Sequence, residues 1–275
     1  MFQKEFTLVN TAEEEKVLKR EINLARNIQM KLLNGETPSF EDGEVSGISI
    51  PARLIGGDYY DFSYLPNGKI RIVIGDVMGK GIPAAMLMIL TRGVFRSVAE
   101  ITNGPGDTLA EMNKVMFKDL RSLGSFVTVF CADWDPIAKI LTFANAGHNL
   151  PIVVRSSDKV QSLPKTKGVM IGGLPNQEYP EESIQLENNS FILFYTDGVI
   201  EATNGKGEMY RVNRLENLLL SSFGKEIKAI ETAIVDSIQN FTEDTPQRDD
   251  ITLVLLKVSK EKTDITSFNS PILIK

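Results

Sequence analysis

The chain has 275 residues, of which 42% are hydrophobic and 24% charged, and its 36 acidic and 30 basic side chains give a net charge of −6. These proportions are those of ordinary globular domains and argue against a disordered, fibrous or membrane-spanning class. The acidic balance and the lack of a Lys/Arg cluster also argue against a nucleic-acid-binding protein.

The first predicted element is a helix over residues 12–33. Its seam recurs at alternating steps of four and three: Leu18, Ile22, Ala25, Gln29 and Leu32. The seam spans just over two heptads and Gln29 interrupts it, so two interpretations stay open, a helix docked on its own domain and a short coiled coil between two chains. No basic stretch precedes an apolar one, and no run approaches the roughly 20 apolar residues that cross a bilayer, which predicts neither a signal peptide nor an anchor.

Strands and two pairs of helices follow. Strands are predicted at residues 45–53, 69–74, 126–134, 139–145, 151–154, 183–185, 190–195 and 251–258. Helices are predicted at residues 83–101, 108–122, 213–222 and 226–240, with Pro83 in the first turn of the first pair. Short loops between most strands favour antiparallel pairing. This order predicts an α+β fold of packed antiparallel sheets covered by helices, not a doubly wound sheet.

Three segments are expected along the chain. Residues 1–35 form an N-terminal helical segment that can serve dimerisation or regulation, residues 36–258 form the main domain, and residues 259–275 form a tail with weak periodicity. The single cysteine, Cys131, lies in an apolar run and cannot form an intrachain disulfide. A reduced, cytoplasmic setting is therefore expected.

Acidic residues recur where apolar strands end or begin beside glycine turns. They are Asp58, Asp76, Asp197, Asp249 and Asp250. Carboxylates at strand ends can converge on one rim of a sheet, and several carboxylates with few histidines are the ligands that Mg²⁺ and Mn²⁺ prefer. Aspartate beside glycine is also ordinary turn chemistry, and spacing alone does not show that these side chains meet.

The motifs resemble those of the metal-dependent protein phosphatase (PPM) family, and specifically its bacterial SpoIIE-type branch with the RsbU-like serine phosphatases. The motifs are ARNIQMKLL (25–33), GGDYYD (56–61), GDVMGKGIPAA (75–85), NAGHN (145–149), YTDGVIE (195–201) and RDDIT (248–252). They span residues 24–258, nearly the whole chain. Six ordered motifs are far more specific than one glycine-rich turn.

The resemblance implies a central β-sandwich between helices, with two Mn²⁺ or Mg²⁺ ions at one end. Carried over by position, Asp76 would bridge both ions and the Val77 carbonyl would complete one of them. Asp197 and Asp249 would hold the second ion, and Asp58 the first, directly or through water. A metal-activated water would then hydrolyse phosphoserine or phosphothreonine on a regulatory protein, by resemblance an anti-sigma-factor antagonist of the STAS type in stress-response signalling.

Several other residues have more than one possible role. Arg53, five residues before Asp58, resembles a phosphate-gripping arginine of the family but can also be a solvated strand-edge residue. His148, the only histidine, can donate a proton to the leaving oxygen or can simply bond the backbone of its turn. Asp250 stands where many relatives carry asparagine, and its part is left open. No arginine stands six positions after Cys131, so the loop of the cysteine phosphatases is absent. Cys131 is therefore interpreted as a small core residue.

The resemblance also suggests how the site is regulated. We expect residues 12–33 to pair two chains and to press on the helical hairpin that follows GDVMGKG, so that Asp76 is set for metal, with a separate protein as the activator. Two rival functions stay open, an inactive PPM-fold regulator that only binds a partner and a metal-dependent hydrolase of small phosphate esters. The absence of a Walker-type loop weakens the nucleotide version of the second rival.

Overall fold

A computed structural model describes residues 2–33, 37–40, 43–166 and 168–259. The helices are α1 (Phe2–Leu33), α2 (Ile82–Val98), α3 (Pro105–Ser122), α4 (Asp197–Glu201), α5 (Arg211–Ser221) and α6 (Ile227–Thr242). The strands are β1 (Ser39–Phe40), β2 (Gly43–Ile50), β3 (Asp58–Tyr64), β4 (Ile70–Val77), β5 (Val127–Asp135), β6 (Ile140–Ala146), β7 (Ile152–Ser156), β8 (Lys159–Ser162), β9 (Glu182–Gln185), β10 (Phe191–Tyr195) and β11 (Ile251–Val258). Of the predicted tail, residues 260–275 lie outside the described ranges.

The strands form two antiparallel sheets. One sheet has the order β1-β2-β11-β10-β7-β8, and the other has the order β3-β4-β5-β6-β9. The second sheet follows chain order, with short loops joining β3 to β4 and β5 to β6 and the α2–α3 hairpin joining β4 to β5. In the first sheet, by contrast, β2 and β11 pair across about 200 residues of sequence. Long-range pairing of this kind could not be predicted from local patterns.

Three buried apolar clusters hold the layers together. One cluster joins α2 and α3 to the outer face of the β3-to-β9 sheet. A second fills the space between the two sheets with side chains such as Phe130, Phe194 and Val254. The third joins α5 and α6 to the outer face of the other sheet. The layers therefore run helix, sheet, sheet, helix, which confirms the predicted α+β fold.

Two elements differ from the predicted ones in a way that matters for the site. Strand β4 does not end at residue 74 but continues through Asp76 and Val77. Strand β3 is absent from the predicted strands, because Asp58 and Asp61 are unfavourable residues in a strand. Asp61 is accommodated there by hydrogen bonds from Arg96 and from the Tyr59 hydroxyl.

Helix α1 begins ten residues earlier than predicted, and among its side chains from residue 13 onward the buried ones lie near its C-terminal end. Gln29 and Leu33 are buried, whereas Leu18 and Ile28 are 55% and 60% exposed. The residue that interrupts the predicted seam, Gln29, is thus one that docks on the domain. None of the described helices is long and apolar enough to cross a membrane.

A buried arginine fixes the α2–α3 hairpin to the sheet. Arg71 on β4 is fully buried and donates two hydrogen bonds, each 2.6 Å, to the carboxylate of Asp133 on β5. Its third nitrogen donates to the Ala99 carbonyl and to the hydroxyls of Thr102 and Thr108, at the junction of α2 and α3. Every donor of this guanidinium that faces the hairpin is therefore paired.

Candidate active site

Asp58 and Asp76 lie opposite each other on the neighbouring strands β3 and β4. Asp58 is buried, and the Thr196 hydroxyl donates to its Oδ2 at 2.8 Å. Burial and the nearby Asp76 carboxylate raise the pKa of Asp58 well above its usual value. Burial, followed by repulsion from Asp197 and Asp249, raises the pKa of Asp76 to about 7.

Asp197 and Asp249 come from the other sheet. Asp197 is the first residue of α4, directly after β10, and Asp249 lies just before β11, the neighbour of β10. Burial raises the pKa of Asp197, and Asp249 and Glu201 raise it further. The two sheets therefore each direct two aspartates to the same end of the sandwich, although they are distant in sequence.

A cavity of about 280 Å³ opens at this end, and we call it the catalytic cavity. It is lined by Asp76, Val77, Met78, Gly79, Lys80, Phe126, Thr128, Gly147, His148, Asn149, Asp197 and Asp249. Asp58 does not line it, but lies opposite Asp76 on the neighbouring strand. Among the described residues no three carboxylate, histidine or cysteine side chains are drawn together in a finished metal-binding geometry. The donor set nevertheless fits a hard cation, because it consists of oxygen ligands whose mutual repulsion a cation would relieve.

A lysine supplies positive charge among these aspartates. The Lys80 ammonium donates to Asp249 Oδ2 at 2.7 Å and to the Arg248 carbonyl at 2.6 Å. It also lies close enough to Asp197 to oppose the rise in the pKa of that carboxyl. No local pattern predicts this contact, which joins residues 169 positions apart.

The turn before Asp58 is held from both sides. The Gln29 amide donates to the Gly56 carbonyl at 2.8 Å and accepts from the Gly56 amide at 3.1 Å. The Asp250 carboxylate accepts from the amides of Gly57 and Ala52, both at 2.7 Å. Glycine is required at position 56, because a Cβ there would lie 2.4 Å from Asp250 Oδ2. Asp250, whose part was left open, thus binds backbone in this structure.

Substitution Gln29→Ala is expected to lower the free energy of unfolding by about 1–3 kcal/mol, because it leaves the buried amide and carbonyl of Gly56 without partners. The matched control is Arg26→Ala, an exposed position on the same helix, with an expected change under about 0.5 kcal/mol. Urea denaturation of both variants measures the difference. Equal stability of the two variants would contradict a clamp at Gly56.

Arg53 lies beside the motif that follows Asp76 but does not line the catalytic cavity. Its side chain is exposed, and a Cβ placed on Gly81 would lie 3.3 Å from Arg53 Nη1. Gly81 precedes the first turn of α2. Arg53 is therefore near the mouth of the site, and its contact with phosphate stays a prediction.

His148 is buried in the wall of the catalytic cavity. Its Nδ1 shares a 2.8 Å hydrogen bond with the Thr128 hydroxyl, and Asn145 bonds its backbone amide and carbonyl. Its Nε2 has no hydrogen-bond partner among the described residues. Burial lowers the pKa of His148 to about 4, against a smaller opposing effect of the Tyr195 backbone. The imidazole is thus neutral near pH 7, which weakens the expected role of proton donor.

Because His148 is the only histidine, its titration can be followed without ambiguity. We expect its imidazole resonances to stay those of the neutral ring from pH 8 to pH 5 and to shift only near pH 4. Heteronuclear NMR of protein labelled at histidine measures this. The urea-unfolded chain serves as the control, with an expected midpoint near 6.5. A midpoint between 6 and 7 in the folded protein would instead restore the proton-donor interpretation.

Cys131 lies away from the site. It is fully buried in the sheet that α2 and α3 cover, and burial raises the pKa of its thiol. A protonated thiol without access to solvent is not a nucleophile. The structure therefore agrees with the interpretation of Cys131 as a core residue.

Comparison with known proteins links this geometry to one family. A family model described as Stage II sporulation protein E (SpoIIE) matches residues 66–259. Phosphoserine phosphatase RsbU of Bacillus subtilis is 30% identical over 240 residues, which cover 87% of this chain and 70% of RsbU. Two further curated relatives match over only 43% and 58% of their own lengths.

Solved structures share the fold. The SiaA-PP2C domain of Pseudomonas aeruginosa superposes with a TM-score of 0.77 at 22% identity, covering 90% of this chain and 99% of that domain. RsbX, solved in complex with magnesium, superposes with a TM-score of 0.58 at 16% identity, covering 82% of this chain and 99% of RsbX. At these identities the likeness concerns the fold.

Proposed function

The chain belongs to the SpoIIE family of PPM-type serine phosphatases, and we propose that it hydrolyses phosphoserine or phosphothreonine on a regulatory protein with the help of two divalent cations. The observation that carries the proposal is the meeting of Asp76, Asp197 and Asp249 on one cavity, with Asp58 opposite Asp76 on the neighbouring strand. Burial, and after it the repulsion between these carboxylates, raises the pKa of Asp76 and Asp197. Such an arrangement is costly unless a cation is bound for part of the time.

The proposed ligands are those implied by family resemblance. Asp76 would bridge two Mn²⁺ or Mg²⁺ ions, helped by the Val77 carbonyl, and RsbX with its magnesium supports the choice of ion. Asp58 would hold one ion, and Asp197 and Asp249 the other. When bound, such ions lower the pKa of a coordinated water and stabilise charge on phosphoryl oxygens.

The remaining residues position the substrate and the ligands. Lys80 lines the catalytic cavity and Arg53 lies beside Gly81, and we propose that both bind phosphate oxygens of the substrate. His148 can donate or accept a hydrogen bond through Nε2 as a neutral ring. Gln29 and Asp250 fix the turn that precedes Asp58.

The proposed partners follow from similarity to RsbU. The substrate would be a phosphorylated antagonist of the STAS type in the cytoplasm, and an activator protein would act through the N-terminal helix. The exposed apolar side chains of α1, among them Val17, Leu24 and Ile28, support pairing of two chains through residues 12–33. The contact of Gln29 with Gly56 would connect that pairing to Asp58 directly, besides the expected pressure on the α2–α3 hairpin.

Hydrolysis assays test the proposal. We expect Mn²⁺-dependent release of phosphate from p-nitrophenyl phosphate and from a phosphoserine peptide, abolished by EDTA and restored by added Mn²⁺. Hydrolysis of p-nitrophenyl phosphate and nucleotides without the phosphoserine peptide would favour a hydrolase of small esters. The folded protein could instead bind Mn²⁺ and hydrolyse none of these substrates, either as a monomer or as a dimer. That result would favour a regulator that only binds partners.

A further inference from the structure

A second cavity lies beside the catalytic cavity. It encloses about 350 Å³ between the segment after α4, helix α6 and the segment before β11, and we call it the side cavity. Lys80 and Asp249 line both cavities. The two cavities therefore share a wall that includes the ion pair between these two side chains.

The chemistry of the side cavity differs from that of the catalytic cavity. Its walls carry apolar side chains from four parts of the chain: Ile50, Ala202, Met209, Val235, Ile238 and Ile251. Charged side chains, among them Glu201 and Arg248, also contribute to its lining. An apolar surface interrupted by polar and charged groups, in a volume of this size, is suited to bind a ligand that is itself partly apolar.

The segment that closes the side cavity is held in place by its own hydrogen bonds. Thr203 and Met209 form an isolated antiparallel bridge, and the Tyr210 amide donates to the Ala202 carbonyl at 2.8 Å. The buried Tyr210 shares a 2.6 Å hydrogen bond with Ser237 on α6. Met209 itself is 43% exposed. Contacts within the chain thus hold the wall of the side cavity in place, and an exposed apolar side chain marks its edge.

We propose that the side cavity binds an apolar side chain of the phosphoprotein substrate, at a position close in sequence to the phosphorylated residue. The inference rests on the proposed function. An extended peptide advances about 3.3–3.6 Å per residue, so a chain whose phosphate lies among the aspartates passes the Lys80 and Asp249 wall within a few residues. Burial of a leucine side chain there would add binding energy that a small phosphate ester cannot obtain.

Phosphoserine peptides provide the test. A leucine is placed, one position at a time, at the four residues on each side of phosphoserine in an otherwise alanine background. We expect leucine at one or two positions to raise kcat/KM by about tenfold over the all-alanine peptide, which corresponds to about 1.4 kcal/mol. Val235→Phe and Met209→Trp, which fill the cavity, should reduce that ratio to below about twofold, since no space remains for the leucine.

Thr232→Phe is the matched control, because Thr232 lies on the exposed side of α6 and should keep the wild-type ratio. Met209→Trp decides the result if Val235→Phe is poorly folded by circular dichroism. Hydrolysis of all peptides at equal rates, or a leucine preference that survives in both filled variants, would overturn the side-cavity proposal alone. Hydrolysis of p-nitrophenyl phosphate without hydrolysis of any peptide would overturn it together with the proposed phosphoprotein substrate.

Discussion

Substitution Asp76→Asn is expected to lower Mn²⁺-dependent kcat/KM on p-nitrophenyl phosphate by at least about 100-fold. Loss of a group that merely orients a metal ligand costs about 10- to 100-fold, so loss of the central ligand itself should cost more. The same substitution removes one of the carboxylates that repel each other at this end of the sandwich. Its melting temperature in EDTA at pH 8 should therefore equal or exceed that of the wild type.

A lower kcat/KM together with an unchanged or higher melting temperature would show that Asp76→Asn removes a metal ligand without damaging the fold. Asp236→Asn is the matched control, because Asp236 is exposed on α6 and lines neither cavity. Steady-state kinetics, isothermal titration with Mn²⁺ and thermal melting of both variants provide the comparison. An Asp76→Asn enzyme that keeps wild-type turnover with Mn²⁺ would remove Asp76 from the mechanism.

Substitution Arg71→Met is expected to lower the free energy of unfolding by about 3–5 kcal/mol, the usual cost of leaving one member of a buried ion pair alone. Asp133 would lose both of its 2.6 Å hydrogen bonds, and the hairpin would lose its donors to Ala99, Thr102 and Thr108. Urea denaturation in EDTA measures the change. Because α2 follows directly on the segment that carries Asp76, a loosened hairpin should also weaken Mn²⁺ binding.

Two comparisons make the Arg71 prediction specific. Lys69→Met removes an ion pair with Asp135 that is 3.6 Å long and partly exposed, and should cost less than about 1 kcal/mol. The double variant Arg71→Met with Asp133→Leu leaves no unpaired charge and should regain much of the lost stability. A single Arg71→Met variant no less stable than Lys69→Met would show that this buried pair does not anchor the hairpin.

Local patterns in the sequence were sufficient for the layers of the fold. Alternating apolar residues located most strands to within two or three residues, and Pro83 marked the beginning of α2. Strand β3 was not predicted, because its aspartates are polar at positions where a strand is usually apolar. Asp61 is accommodated there by the Tyr59 hydroxyl and by Arg96, which is 35 residues away. A partner so distant in sequence is invisible in a local window.

The candidate site shows the same limit. Acidic residues beside glycines indicated a metal site, and the family resemblance assigned roles to Asp58, Asp76, Asp197 and Asp249. The contacts that position them join distant parts of the chain, as in Asp250 with Gly57 across 193 residues. Gln29 interrupts the predicted apolar seam, and in the folded chain it bonds the buried turn at Gly56, which needs a polar partner. Hydrogen-bonding demand of a backbone turn is a property of the folded chain and leaves no local signal.

Crystals of the wild-type protein soaked in Mn²⁺ test the central claim most directly, through the anomalous scattering of the ions. We expect two peaks at the end of the sandwich, both about 2.1 Å from oxygens of Asp76. Asp58 should lie next to one peak, and Asp197 and Asp249 next to the other. Occupancy should be lost in Asp76→Asn. Manganese bound only at other carboxylates, with these four left empty, would contradict the account.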